Sequence, residues 1–212
     1  MESGLYYNTV IPELKKILFR LMKMREFDQF RLVGGTALSL QLGHRISDDI
    51  DLFSDMDYGS MNMNSITKIL TENFDVVDYH DLMVVGNGRA FKVGKQNEKS
   101  VKVDVNYTDP FIFPELVVDG IRMATLEEIS AMKLEILPRG GRQKDFWDLH
   151  ELLYHFSFKQ MISFHEKRYY SSYSYNQWKK FLHNFERADT DLTPQCLRGK
   201  YWDLIKLDLL EI

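Results

Sequence analysis

Two aspartates one residue apart, Asp49 and Asp51, sit within the apolar run Ile50, Leu52 and Phe53. Side chains alternate along a strand, so on a strand both carboxylates share one face. Held that close, they repel unless a cation or a proton relieves them. Upstream, Gly34-Gly35-Thr36 follows the apolar pair Leu32-Val33. A glycine turn leaves room for phosphate oxygens, and a helix starting there offers unpaired amides and the positive end of its dipole. The Thr36 hydroxyl would be a further donor. Together these parts suggest a nucleoside triphosphate held over magnesium, an ion that takes a few carboxylates plus phosphate oxygens and water. A calcium loop is the rival reading, because Asp55 and Asp57 follow. It fails: Leu52 and Phe53 interrupt the acidic run, and no glycine sits where such a loop turns.

The elements that must position these groups are partly readable. Apolar residues at helical spacing predict a helix from Thr9 to about Arg25, with Pro12 in its first turn. Phe30 to Val33 reads as a strand, Ala37 to Gln41 as a helix stopped by Gly43, Asp49 to Phe53 as a second strand, and Ser65 to Glu72 as a helix. A meander is expected next, with strands at 82–85, 90–93 and 101–106. On the last, Val101, Val103 and Val105 face one way and Lys102 and Asp104 the other. Thr125-Leu126-Glu127-Glu128 has the form of a capping box, opening a helix to about Leu137. A further helix is expected from Gln143 to Phe156. More helices, rich in Tyr, Phe and Trp, follow to the end. The natural division is an α/β lobe over 1–124 and a helical lobe over 125–212.

Asp104 is the third candidate carboxylate. Between valines on a strand, it is either part of the site or half of a solvated face shared with Lys102. Lys133 is flanked by core positions, so it either snorkels outward or meets an anion. Asp145 and Asp148 share a helix face, and the plain reading of both is a surface pair. His44 alone reads as structural.

The stretch Gly34-Gly35-Thr36-Ala37-Leu38, followed by Arg45-Ile46-Ser47-Asp48-Asp49-Ile50-Asp51-Leu52-Phe53, resembles the DNA polymerase beta type of nucleotidyltransferase, and within it the AbiEii/AbiGii toxin family. The resemblance covers roughly residues 30–155. It implies a polymerase-beta-like α/β (α+β) core with a mixed sheet, followed by a helical lobe. It implies Mg2+ on Asp49, Asp51 and Asp104, with Asp104 also able to act as the base. Lys133 would contact the triphosphate, Asp145 would hold Lys133 or a hydroxyl in place, and Gly34, Gly35, Thr36 and Arg45 would complete the nucleotide site. The implied activity is transfer of NMP from an NTP to a hydroxyl of tRNA or protein, in a family some of whose members are toxins with a partner antitoxin. A small-molecule (antibiotic-type) transferase and a non-catalytic nucleotide-binding regulator of the same fold are the alternatives. An acceptor pocket lined by acids would favour a cationic small molecule, and a basic groove would favour tRNA.

Composition narrows the partners. The net charge of −4 gives no global attraction to nucleic acid, so any RNA contact needs a local patch, and no DNA partner is expected. Residues 159–187 carry Lys159, Lys167, Arg168, Lys179, Lys180 and Arg187 against Glu166 and Glu186, interleaved with Tyr169, Tyr170, Tyr173, Tyr175 and Trp178. Such a mixture can form an RNA-facing patch with stacking aromatics, although aromatics at helical spacing more often fill a core while the lysines form a solvated face. The single cysteine, Cys196, excludes an internal disulfide and a cysteine-rich zinc site. No signal-peptide pattern or membrane-length apolar run is seen, so a cytoplasmic protein is expected.

Overall fold

A computed structural model describes residues 4–81, 88–170 and 173–212. Helix α1 (Pro12–Leu21) starts with its proline where no intrahelical N–H is needed, and buries Leu14, Ile17, Leu18 and Leu21. It is shorter than the sequence pattern suggested, because the chain beyond it breaks into turns around Arg25–Phe27. Strand β1 (Arg31–Val33) runs straight into α2 (Gly34–Leu42), which starts at the first glycine of the turn. Gly43, left-handed at φ 71°, ends α2 with its amide on the Ser39 carbonyl. Next come β2 (Asp49–Ser54), α3 (Met63–Asn73), β3 (Val76–Asp81), β4 (Gly88–Gly94) and β5 (Val101–Tyr107).

The strand expected at 82–85 falls outside the described residues. The described partner of β4 is Val76–Asp81, just before that segment in the chain. A hairpin not foreseen from the sequence, β6 (Leu116–Val118) and β7 (Ile121–Met123), precedes the helical part. Among the described residues the strands form one mixed sheet of seven, in the order β3-β4-β5-β2-β1-β7-β6. Strand β2 pairs antiparallel with β1 and parallel with β5.

Ile50, Leu52, Val101, Val103 and Val105 are buried in the core that includes Leu14, Leu18 and Leu21 of α1 and Ile66 and Leu70 of α3. By strand alternation, Asp49, Asp51, Lys102 and Asp104 project to the other face.

Helix α4 (Leu126–Leu134) is capped by the Thr125 side chain, which accepts from the Glu128 amide. It stops before the expected Leu137, and a short 3-10 turn at Leu137–Arg139 leads on to α5 (Gln143–Leu152), which also ends earlier than Phe156. The capping box is only half made. The buried Glu128 carboxylate turns away to accept from the amides of Ile112 and Phe113 (3.0 and 2.8 Å) and to pair with Arg168. Helices α6 (Phe158–Arg168), α7 (Tyr175–Leu182) and α8 (Trp202–Leu210) complete the chain. Among the described residues, no helix is long and apolar enough to cross a membrane.

Candidate active site

The parallel pairing of β2 and β5 sets Asp51 directly beside Asp104 and Asp49 beside Lys102. Residues distant in sequence thus form one acidic patch on the polar face of the sheet. Gly34 lies against it. Its φ is 68°, and a Cβ on it would come within 2.5 Å of Asp51 Oδ2. Glycine is therefore required here both by backbone conformation and by the approach of a carboxylate. Gly35 is just as confined: a Cβ would meet the Arg45 guanidinium at 2.1 Å. Helix α2 has no side-chain cap at its N-terminus, so its first amides and its positive end are presented beside the acids. Gly34→Ala is expected to cost both fold and function. The left-handed backbone would be strained by about 1–2 kcal/mol, and the methyl group would push Asp51 out of place. Thermal melts should show the loss of stability, and transfer should fall further than the melt explains.

A cleft of about 340 Å³ opens above these groups. Arg45, Asp49, Asp51, Asp104, Lys133 and Asp145 all line it, together with Gly34 and Gly35. Burial, followed by the charges of Asp104 and Asp49, pushes the pKa of Asp51 from 3.8 up to about 6. Asp104 contacts Lys102 through one oxygen, while its buried Oδ1 has no hydrogen-bond partner. Asp49 has Lys144 at 3.7 Å. Among the described residues, no three acidic, imidazole or thiol groups stand as a ready-made metal cage. The donor set nevertheless suits a hard divalent cation: carboxylates that oppose one another, an unpaired carboxylate oxygen, and open space for phosphate oxygens.

Thr36 is turned the other way. Its buried hydroxyl donates to the Asp49 carbonyl and lies 2.8 Å from Ser47 Oγ, so the expected phosphate donor instead ties the start of α2 to the start of β2. Its side chain has no hydroxyl proton left for a ligand.

Behind the cleft is a buried ionic group. Lys133 Nζ lies 2.8 Å from Asp145 Oδ1 and 2.6 Å from Asp148 Oδ2. Arg45 binds Asp148 with two nitrogens, at 2.7 and 2.9 Å, and His44 Nε2 adds a contact to Asp148 at 2.8 Å. Burial alone would raise the pKa of Asp148, but Arg45 and Lys133 outweigh it and hold the carboxyl well below its usual range. Burial would lower Lys133, but Asp145 and Asp148 overcome it and keep the ammonium charged. Asp145 also accepts from the Arg142 amide at 3.0 Å, fixing the first turn of α5. The surface pair suggested by the spacing of Asp145 and Asp148 is thus a buried one, and Asp148, the less promising of the two in sequence, makes more contacts with the site cations.

The loop carrying Arg45 is held from far along the chain. Arg45 forms an antiparallel bridge with Cys196, the Ile46 amide donates to Gln195 O and the Leu197 amide to His44 O, both at 2.9 Å. Arg198 then reaches both Leu42 O and the buried Glu151, and Lys200 reaches Glu151 at 2.9 Å.

The nucleotidyl transferase AbiEii toxin family (Type IV TA system) matches residues 16–195. The chain belongs to that family. The AbiEii match spans every residue lining the cleft, from Val33 to Tyr169. An uncharacterized protein of Aquifex aeolicus (strain VF5) is 28% identical over 142 residues, 65% of this chain and 64% of that protein. The chain therefore spans just under two thirds of the length of the curated relative it matches. Among solved structures, JHP933 from Helicobacter pylori superposes with a TM-score of 0.59 at 19% identity, covering 98% of this chain and 91% of that one. MenT4, a nucleotidyltransferase toxin from Mycobacterium tuberculosis, gives a TM-score of 0.56 at 13% identity, covering 91% and 78%. The chain shares its fold with both structures, and the family it belongs to is one of nucleotidyl transferases.

Two members of the basic and aromatic stretch are turned inward, while Lys159, Lys167, Lys180, Arg187, Tyr170 and Tyr175 remain exposed. Arg168 is buried, paired with Glu128 and bonded to Thr108 and the carbonyls of Asp109 and Pro110. Trp178 is fully buried against His165, Tyr173 and Phe181. Tyr169 lines the cleft instead. Periodicity could have hinted at this, because Met161, Ile162, His165 and Arg168 share one helix face. Lys102 and Lys144 are cleft residues that had not been singled out for the site; both precede a site aspartate closely in sequence, which is the only signal they gave.

Proposed function

We propose that this AbiEii-family protein moves a nucleoside monophosphate from an NTP to a hydroxyl acceptor, using magnesium held by Asp49, Asp51 and Asp104. The observation that supports it most is the register of Asp51 beside Asp104, with Gly34 and the open N-terminus of α2 packed against Asp51. A divalent cation there would offset the charge that builds on the α-phosphate and the leaving pyrophosphate. The glycine turn and α2 amides orient the triphosphate. Asp104, with one oxygen unpaired, takes the proton as the acceptor oxygen bonds to the α-phosphorus and the bond to pyrophosphate breaks. Lys133 lines the cleft with its charge secured by Asp145 and Asp148, and steadies phosphate. The acceptor in this reading is tRNA or a protein side chain, and the toxin–antitoxin description of the family supports an antitoxin as partner.

The cleft wall argues against a cationic small-molecule acceptor. Its acids, Asp49, Asp51, Asp104, Glu135 and Asp145, are matched by Arg45, Lys102, Lys133, Arg142 and Lys144. Incubation with each labelled NTP, magnesium and either total RNA or cell lysate tests the reading. One fraction should become labelled, and Asp104→Asn should lower the rate by roughly 100-fold or more while NTP binding is kept. Absence of any labelled acceptor from a protein that binds NTP would instead favour the regulator.

A further inference from the structure

An in-line displacement needs the attacking oxygen and the departing pyrophosphate on opposite sides of the α-phosphorus. The glycine turn and α2 follow β1, on one side of β2. On the other side of β2 lie β5, β4 and β3. Their polar face continues the acidic patch along one register row, while the next row is interrupted by the buried Ala90. One register row across the four strands reads Asp49, Lys102, Lys92, Asp78, and the next reads Asp51, Asp104, Ala90, His80. Lys92, Asp78, His80 and Lys102 are exposed.

At the centre of the first row, Lys92 stands directly opposite Lys102. Lys102 is already paired with Asp104, so exposed Lys92 is the cation of this row that is left to meet an incoming anion, with Asp78 on its other side. Exposed Lys99 flanks the same hollow, a cavity of about 410 Å³ that shares Asp49 and Lys102 with the nucleotide cleft.

We propose that the polar face of β3, β4 and β5 around Lys92 is the acceptor site, and that it receives a phosphodiester strand whose terminal hydroxyl is laid beside Asp104. The proposal rests on the nucleotidyl-transfer reading and adds to it a location and an anionic acceptor. Lys92 and Lys99 hold acceptor phosphates, and Lys102 lies at the junction of the two sites. It also moves the RNA contact away from the helical part, where Arg168 and Trp178 are buried.

The test uses a fluorescent single-stranded RNA with a free 3′-hydroxyl, followed by anisotropy at low salt, with NTP binding measured in parallel. Lys92→Gln with Lys99→Gln should weaken RNA binding by about tenfold or more. Losing both contacts should also flatten the slope of log affinity against log salt by about 1.4. NTP binding should stay unchanged. The comparison variant, Lys167→Gln with Lys180→Gln, should bind RNA as the wild type does. The proposal is overturned if the comparison variant loses RNA binding and the sheet-face variant keeps it. It is equally overturned if wild type binds no RNA at low salt while lysate protein becomes labelled from NTP. Failure of wild type to bind any NTP would reject the transfer reading itself, a result separate from loss of RNA binding alone.

Discussion

Asp51→Asn is expected to abolish transfer and yet stabilise the metal-free protein at neutral pH. The carboxylate is held beside Asp49 and Asp104, with its pKa raised from 3.8 to about 6. A raised acid favours the folded state only when protonated, so above pH 6 the ionised Asp51 opposes folding. The penalty is on the order of 2–3 kcal/mol. It fades as the pH falls through 6 and is gone below 3.8, where the group is protonated in both states. The neutral asparagine removes the penalty while keeping the shape. Denaturant titrations should therefore show the variant ahead of wild type at pH 7.5, with the gap closing toward pH 4. A variant no more stable than wild type at pH 7.5 would show that Asp51 is not under this electrostatic load. Undiminished transfer would remove it from the candidate metal set.

Asp148→Ala should have the opposite effect on stability. It strips the shared partner from Arg45, Lys133 and His44 in a buried setting. Breaking a buried ionic group by removing one partner costs about 3–5 kcal/mol, because the stranded charges cannot be rehydrated. The pH dependence has a definite sign. The folded pKa of Asp148 is depressed, so its contribution is present above the unfolded value and is lost as acid titrates the folded carboxyl. Wild type should lose stability steeply in acid, and the variant, already lacking this group, less so. The double variant Asp148→Ala with Arg45→Met should recover part of the loss, since it removes one stranded charge. A cycle in which the two substitutions simply add would show that the pair is not coupled.

The wording of the candidate site was legible in the sequence because it is local. Gly34-Gly35 and Asp49-Ile50-Asp51 each act through neighbours within a few residues, and Asp104 could be placed on a face by strand alternation alone. What was illegible depends on burial. The i,i+3 spacing of Asp145 and Asp148 is the same on a wet surface as in a core, and only the packing of α2, α4 and α5 decides. Arg168 and Trp178 fell into a stretch whose composition suggested RNA, but composition does not reveal which side of a helix points inward. The β6–β7 hairpin did carry a signal that had gone unread. Asp119-Gly120 sits at its turn, both with positive φ (52° and 77°), the two-residue connection that joins antiparallel strands.

The bridge between the Arg45 loop and the 195–200 segment also has a consequence in time. Arg198 and Leu42, which it joins, are 156 positions apart in sequence. Contacts of such long separation close late in folding, and a chain emerging from the ribosome folds from its N-terminus first. Throughout most of synthesis the glycine turn and both aspartates of β2 are outside the tunnel, while the segment that fixes the arginine behind them has not yet been made. A nascent chain of this protein therefore carries Arg45 unfixed until residues 195–200 have been made.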